Sequence, residues 1–198
     1  YETPEELSEV FQGKRYGHIY SRISNPTVSA LEKRINSLEN GVASIAVGSG
    51  MAAINTAIQA IVGSGDHIVA SKSIFGGTTH LFEDVLSRIN IEVSFIDPLN
   101  EEEIKAAIKE NTQLIFVETI GNPKLDICNI DSVSKLAEEA GIPLIVDATL
   151  TPPSIFNGKE QGASVVIHSS TKYMSGSGNV VGGVLTDTGN FKWKTCKS

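Results

Sequence analysis

Short apolar runs alternate with amphipathic stretches along most of this 198-residue chain, and that alternation leaves few folds open. "HIVA", "EVSFI", "LIFVE", "PLIVDA" and "SVVIHSS" are of strand length and rich in branched residues. Between them, "SGMAAINTAIQAIVGSG", "THLFEDVLSRI", "NEEEIKAAIKE" and "DSVSKLAEEAG" read as helices. Strands that are apolar on both faces belong in a parallel sheet covered on both sides. The expected fold is therefore α/β, a three-layer arrangement around a mostly parallel sheet. Ligands of such sheets bind beyond the carboxyl ends of the strands. The residues to inspect are Ser49 and Gly50, Ser73 to Thr78, Glu118 to Asn122, Asp147 to Thr149 and His168 to Lys172.

Ahead of the alternation, Tyr1 to Ser24 is polar, and only Glu5 to Phe11 in it looks helical. "NPTVSALEKRINSLENG" predicts a helix with Asn25 as N-cap, Pro26 at its first position and Gly41 past its end. Val28, Leu31, Ile35 and Leu38 form its apolar stripe. "SIAV" and "VVGGVLTD" read as further strands, and Asn100 caps a helix whose first turn is acidic.

A net charge of −7 with no long run of one sign argues against nucleic acid or an anionic membrane as the main partner. The most apolar windows are short and broken by Gly, Ser and Asp, so neither a signal peptide nor a spanning segment is expected. Cys128 and Cys196 are in no metal-ligand spacing and read as one buried and one tail thiol, which suits a reducing cytoplasm. His18, His67, His80 and His168 are scattered, and no metal site is expected. The chain starts at Tyr1 and ends on "FKWKTCKS" without a closing element, and reads as part of something longer.

The strand ends carry chemistry. Asp147 closes "LIVD", where a carboxylate is costly unless a cation or strong donor meets it. A single such Asp is as readily a cap or a salt-bridge partner. Lys172 follows the next strand-like run. A loop lysine is usually solvated, but one desolvated in a cleft becomes a nucleophilic amine able to form Schiff bases. "GSGMAAINT" puts Ser49, Gly50 and Met51 at a helix N-terminus suited to an anion. Ser169 and Thr171 add hydroxyls beside the lysine; Tyr20 and Arg22 add a phenol and a guanidinium. Phe75 is either a core residue or a flat lid over a planar ring, and Asn122 is placed to hydrogen-bond a ring oxygen. A planar aldehyde with a phosphate and a pyridine nitrogen would use all of these groups together, and pyridoxal 5'-phosphate has that chemistry.

"YSRISNPTVSALEKRINSLENG", "GSGMAAI", "FGGT", "VETIGNP", "LIVDAT" and "VVIHSSTKYMSGSGNVVGG" together resemble the pyridoxal-phosphate (PLP) enzymes of cysteine and methionine metabolism. The resemblance runs over nearly the whole chain from Gly17 onward. It implies the large domain of the fold-type I (aspartate aminotransferase-like) PLP-dependent transferases over 25–198, and a segment 1–24 contacting a neighbouring subunit. The family's C-terminal small domain, with its substrate-carboxylate arginine, would lie outside this chain. Lys172 would hold the cofactor and move protons on the substrate, and Asp147 would pair with the ring nitrogen. Gly50, Met51, Ser169 and Thr171 would bind its phosphate, with Tyr20 and Arg22 reaching that of a neighbouring subunit in a homodimer or homotetramer. Phe75 would stack on the ring, Asn122 would approach its hydroxyl, and Glu118 would support that region.

Within the family the front end, and the close "GGVLTDTGNFKW", look most like O-acetylhomoserine sulfhydrylases. This implies a γ-replacement on O-acetyl-L-homoserine with sulfide or another sulfur donor, giving homocysteine for methionine biosynthesis. Cystathionine γ-synthase, cystathionine or methionine γ-lyase and a non-catalytic PLP-binding subunit are the rivals. Gly77 stands where methionine γ-lyases typically carry a cysteine. Phe75 replaces a more frequent Tyr, Ala148 and Leu150 replace Asn and Phe, and Ser177 replaces a frequent His.

Overall fold

The computed structural model describes residues 1–193, so Cys196 lies outside the described residues. Seven strands form one sheet: β1 (Ala43–Val47), β2 (His67–Ser71), β3 (Glu92–Ile96), β4 (Thr112–Glu118), β5 (Leu144–Asp147), β6 (Val165–His168) and β7 (Gly183–Asp187). Their order is β1-β7-β6-β5-β4-β2-β3. The pairs β2–β3, β2–β4, β4–β5 and β5–β6 are parallel, and β7 runs antiparallel to both β1 and β6. The expected mostly parallel sheet is present, with β7 the one reversed strand among the described residues.

Helices α1 (Pro4–Phe11), α2 (Pro26–Leu38), α3 (Gly50–Ile61), α4 (Gly76–His80), α5 (Glu101–Ala107) and α6 (Ile130–Ala140) precede or join the strands. Asn25 caps α2 through Thr27 and Val28 amides, with Pro26 in the first turn. Gly141, at φ 70°, closes α6 in the left-handed conformation that a Cβ would disfavour.

Side-chain parity sorts the core into two layers. Phe116, Ile145 and Ile167 join Ile54, Ile58 and Phe82 on the α3 side. Ile115, Val117, Val146 and Val166 join Ile104, Val133 and Leu136 on the α5–α6 side. Counting on by two places Glu118, Asp147 and Ser169 on the α3 side, at the ends of three adjacent parallel strands.

Two expectations are corrected. "THLFEDVLSRI" is not one α-helix: α4 gives way to a wide π-turn (Leu81–Val85) and a 3-10 turn (Leu86–Ile89). The widened turn keeps Phe82 and Leu86 in the core while Val85 and Ile89 face out. On α2 only Ile35 of the apolar stripe is buried; Val28, Leu31 and Leu38 stay exposed, because this helix lies over β1 at the margin of the sheet.

Candidate active site

A cavity of about 750 Å³ opens at the carboxyl ends of β4, β5 and β6, beside the N-terminus of α3. It gathers Gly50, Met51, Phe75, Asn122, Asp147, Ser169, Thr171 and Lys172 from loops far apart in sequence, along with Glu118. Tyr20 and Arg22 do not line it. They lie in an exposed turn, the guanidinium 5.2 Å from the Tyr20 ring centroid.

The α3 end is built for an anion. Ser49 caps the helix by accepting from the Ala52 amide (3.0 Å), which leaves the amides of Gly50 and Met51 in the open first turn. The surroundings admit no extra side chain. A Cβ on Gly50 would lie 2.6 Å from Cβ of Ser169, and one on Gly183 would lie 2.1 Å from the Ser49 carbonyl oxygen. The Ser169 hydroxyl has no partner among the described residues. That of Thr171 donates to the Gly182 carbonyl (3.2 Å) and accepts from the Gly182 amide (3.0 Å), lacing the glycine-rich loop shut.

Two carboxyls form the floor. Asp147 and Glu118 are paired residues on neighbouring strands and both are buried. Glu118 accepts from the Phe75 amide at 2.7 Å. Burial first, and the Asp147 charge second, push its carboxyl up to about 8, against the amides of Phe75 and Asn122. Burial likewise raises Asp147, opposed by the Thr149 hydroxyl and amide and by His168. Asp147 Oδ1 accepts from Thr149 N (2.9 Å) and Oγ1 (2.6 Å), while Oδ2 has no partner among the described residues. A desolvated carboxylate with one open oxygen fits a cationic N–H. With the anion cradle at Gly50 and Ser169, the site fits both polar ends of pyridoxal phosphate.

Phe75 keeps 48% of its surface, and its ring occupies the space a side chain at position 77 would need: a Cβ there would lie 2.5 Å from Cε1. The ring is a cavity wall rather than a core residue. Lys172 corrects one expectation. Its side chain is exposed, not desolvated, with no partner among the described residues. It stands four residues past the end of β6 and lines the cavity from its open side. Sequence reasoning also passed over Thr149 as a functional residue; its signal was the D-x-T spacing, which lets the amide two residues on bond the carboxylate.

The profile of the Cys/Met metabolism PLP-dependent enzyme family matches residues 1–197. The O-acetyl-L-homoserine sulfhydrylase of Leptospira meyeri is 40% identical over 193 residues, 98% of this chain and 44% of that protein. The cystathionine gamma-lyase of Bacillus subtilis is 43% identical over 173 residues, 87% of this chain and 45% of that protein. The solved O-acetylhomoserine sulfhydrylase of Wolinella succinogenes superposes with a TM-score of 0.82 at 44% identity, covering 88% of this chain and 49% of that one. The chain thus spans a little under half the length of the curated relatives it matches.

Proposed function

The chain belongs to the Cys/Met metabolism PLP-dependent enzyme family, and on that premise we propose that it is part of a γ-replacement enzyme that makes homocysteine in the cytoplasm. The net reaction is O-acetyl-L-homoserine plus sulfide giving L-homocysteine plus acetate. The observation that carries this reading is the convergence of Lys172, Asp147, Phe75 and the α3 N-terminus on one cavity. The sulfhydrylase names among its relatives support the substrate class.

When bound, pyridoxal phosphate supplies an electron sink for charge developing on the substrate carbons. The residues of this chain do the rest. The amides of Gly50 and Met51 and the hydroxyl of Ser169 bind the phosphate, with Thr171 fixing the loop beside them. Asp147 offers Oδ2 to the ring N–H. Phe75 covers one face, and Asn122 meets the ring hydroxyl. Lys172 Nζ would hold the cofactor and, as a free amine once the substrate's amine has taken its place, would take the Cα proton and move protons at Cβ while acetate leaves Cγ and sulfide adds there. Tyr20 and Arg22 serve the phosphate of a neighbouring copy in a homodimer or homotetramer. No described helix is long and apolar enough to cross a membrane.

Cystathionine γ-lyase activity is the second reading, favoured by the similarity to the Bacillus subtilis enzyme. Methionine γ-lyase activity is disfavoured: the cysteine those enzymes typically carry at position 77 would collide with the Phe75 ring as it stands. Products formed with sulfide, with cysteine and with no acceptor separate these readings: homocysteine, cystathionine or an oxo acid with ammonia. Lys172→Ala is expected to abolish homocysteine formation and the visible absorption of the bound cofactor. Full activity in that variant would overturn the assignment.

A further inference from the structure

Thr149 lies between two strand ends. Ser169 N donates to Thr149 Oγ1 at 2.8 Å, and Thr149 Oγ1 lies 2.6 Å from Asp147 Oδ1. With Asp147 as a carboxylate, the chain runs one way, from the Ser169 amide through the Thr149 hydroxyl to Asp147. A backbone N–H can only donate, so the threonine oxygen accepts from Ser169. The hydroxyl has one proton, and Asp147 Oδ1 is the acceptor it meets. Oδ1 also accepts from the Thr149 amide at 2.9 Å, so two donors pin one carboxyl oxygen. A proton on Oδ1 would weaken both bonds, since both donors favour the charged oxygen.

The threonine is itself held. The Thr151 amide donates to the Ala148 carbonyl (2.9 Å), and the Thr151 and Thr119 hydroxyls are bonded at 2.8 Å, which ties the turn after β5 to the end of β4.

We propose that Thr149 is a positioning residue for cofactor binding: its hydroxyl, accepting from the Ser169 amide and donating to Asp147, pins Oδ1 and presents Oδ2 as an anion to the ring nitrogen of pyridoxal phosphate. The same hydroxyl sets the span between Asp147, at the ring end of the site, and Ser169, at its phosphate end. Burial pushes the Asp147 carboxyl towards its neutral form, and the two Thr149 donors oppose it. Without the hydroxyl, the proton shared by Asp147 and the ring nitrogen moves towards Asp147. The inference rests on the cofactor reading above.

The test uses the protein at its full natural length, stripped of cofactor and reconstituted with pyridoxal phosphate labelled with 15N in the ring. Thr149→Val keeps the shape and loses the donor; Thr149→Ser keeps the donor. Thr149→Val is expected to bind the cofactor at least about tenfold more weakly and to move the 15N signal from pyridinium towards neutral pyridine. Thr149→Ser should restore both. Unchanged affinity and signal in Thr149→Val, or a Thr149→Ser that behaves like it, would overturn the proposal. If Thr149→Val does not fold, Thr149→Ala takes its place. Failure of both to fold would make the hydroxyl a folding element and overturn the positioning role. A wild-type protein that takes up no pyridoxal phosphate would instead sink the cofactor reading.

Discussion

Glu118 and Asp147 face the same cavity from neighbouring strands, and neither forms an ion pair among the described residues. That arrangement has a consequence for stability. The Glu118 carboxyl is pushed up to about 8, whereas its ordinary value is 4.5. The folded chain therefore holds a proton that the unfolded chain releases across that window. The stabilisation is fully present below the unfolded value and is lost as pH rises through the folded one, by up to about 1.4 kcal/mol per pH unit. Asp147, also raised, acts with the same sign. Denaturant unfolding of the cofactor-free protein is expected to show a lower midpoint at about pH 8 than at about pH 5, and Glu118→Gln should remove much of the difference. A wild-type midpoint that does not fall would contradict the assignment. The two acids differ in how openly the sequence declares them. Asp147 ends an apolar run and stands out. Glu118 ends one too, but the charge of its neighbour and the amide of Phe75, 43 residues away, are properties of the folded sheet alone.

At the scale of elements, helix α2 is tied to the strand that leads to Lys172. Glu39, just past the end of α2, lies 2.5 Å from Nε2 of His168 at the end of β6, and both side chains are buried. The contact is made by Glu39 Oε1, and Glu39 Oε2 and His168 Nδ1 have no hydrogen-bond partner among the described residues. Two polar groups enclosed in this way depend on each other, so removing one leaves the other buried and unpaired. Glu39→Ala is expected to cost about 3–5 kcal/mol, while Glu39→Leu with His168→Leu should cost far less, both read from unfolding midpoints. A Glu39→Ala protein as stable as wild type would show that the site refills with water at no cost. The pair was not legible in the sequence. His168 reads as one of four scattered histidines, and the 129 residues separating it from Glu39 hide the contact. The elements themselves were legible wherever the local signal was strong: Asn25, Asn100 and Gly141 mark helix ends because their side chains or φ angles act within a few residues. The π-turn at Leu81–Val85 was not, since its apolar spacing also suits an unbroken α-helix.

The whole molecule brings its chemistry to one side of a sheet, and the reason is topological. With β2 to β6 parallel, their carboxyl ends open on one edge, and β1, antiparallel to β7 as β6 is, delivers the α3 N-terminus there too. That much follows from strand–helix alternation, so the location of the site is legible in the sequence alone. What one chain does not contain is the contribution of Tyr20 and Arg22, which lie outside the cavity of their own chain. Under the proposed function they act on the cavity of a neighbour, and mixing two inactive variants tests this. On that reading Lys172→Ala would remove the reactive amine, and Arg22→Ala a phosphate ligand. Each variant assembled alone has only defective sites. In a mixed assembly, some cavities combine an intact Lys172 from one chain with an intact Arg22 from another. Co-assembly is therefore expected to regain homocysteine formation that neither variant shows alone. If Arg22 served its own chain, every cavity in the mixture would still lack one of the two groups, and activity would stay at the sum of the separate variants.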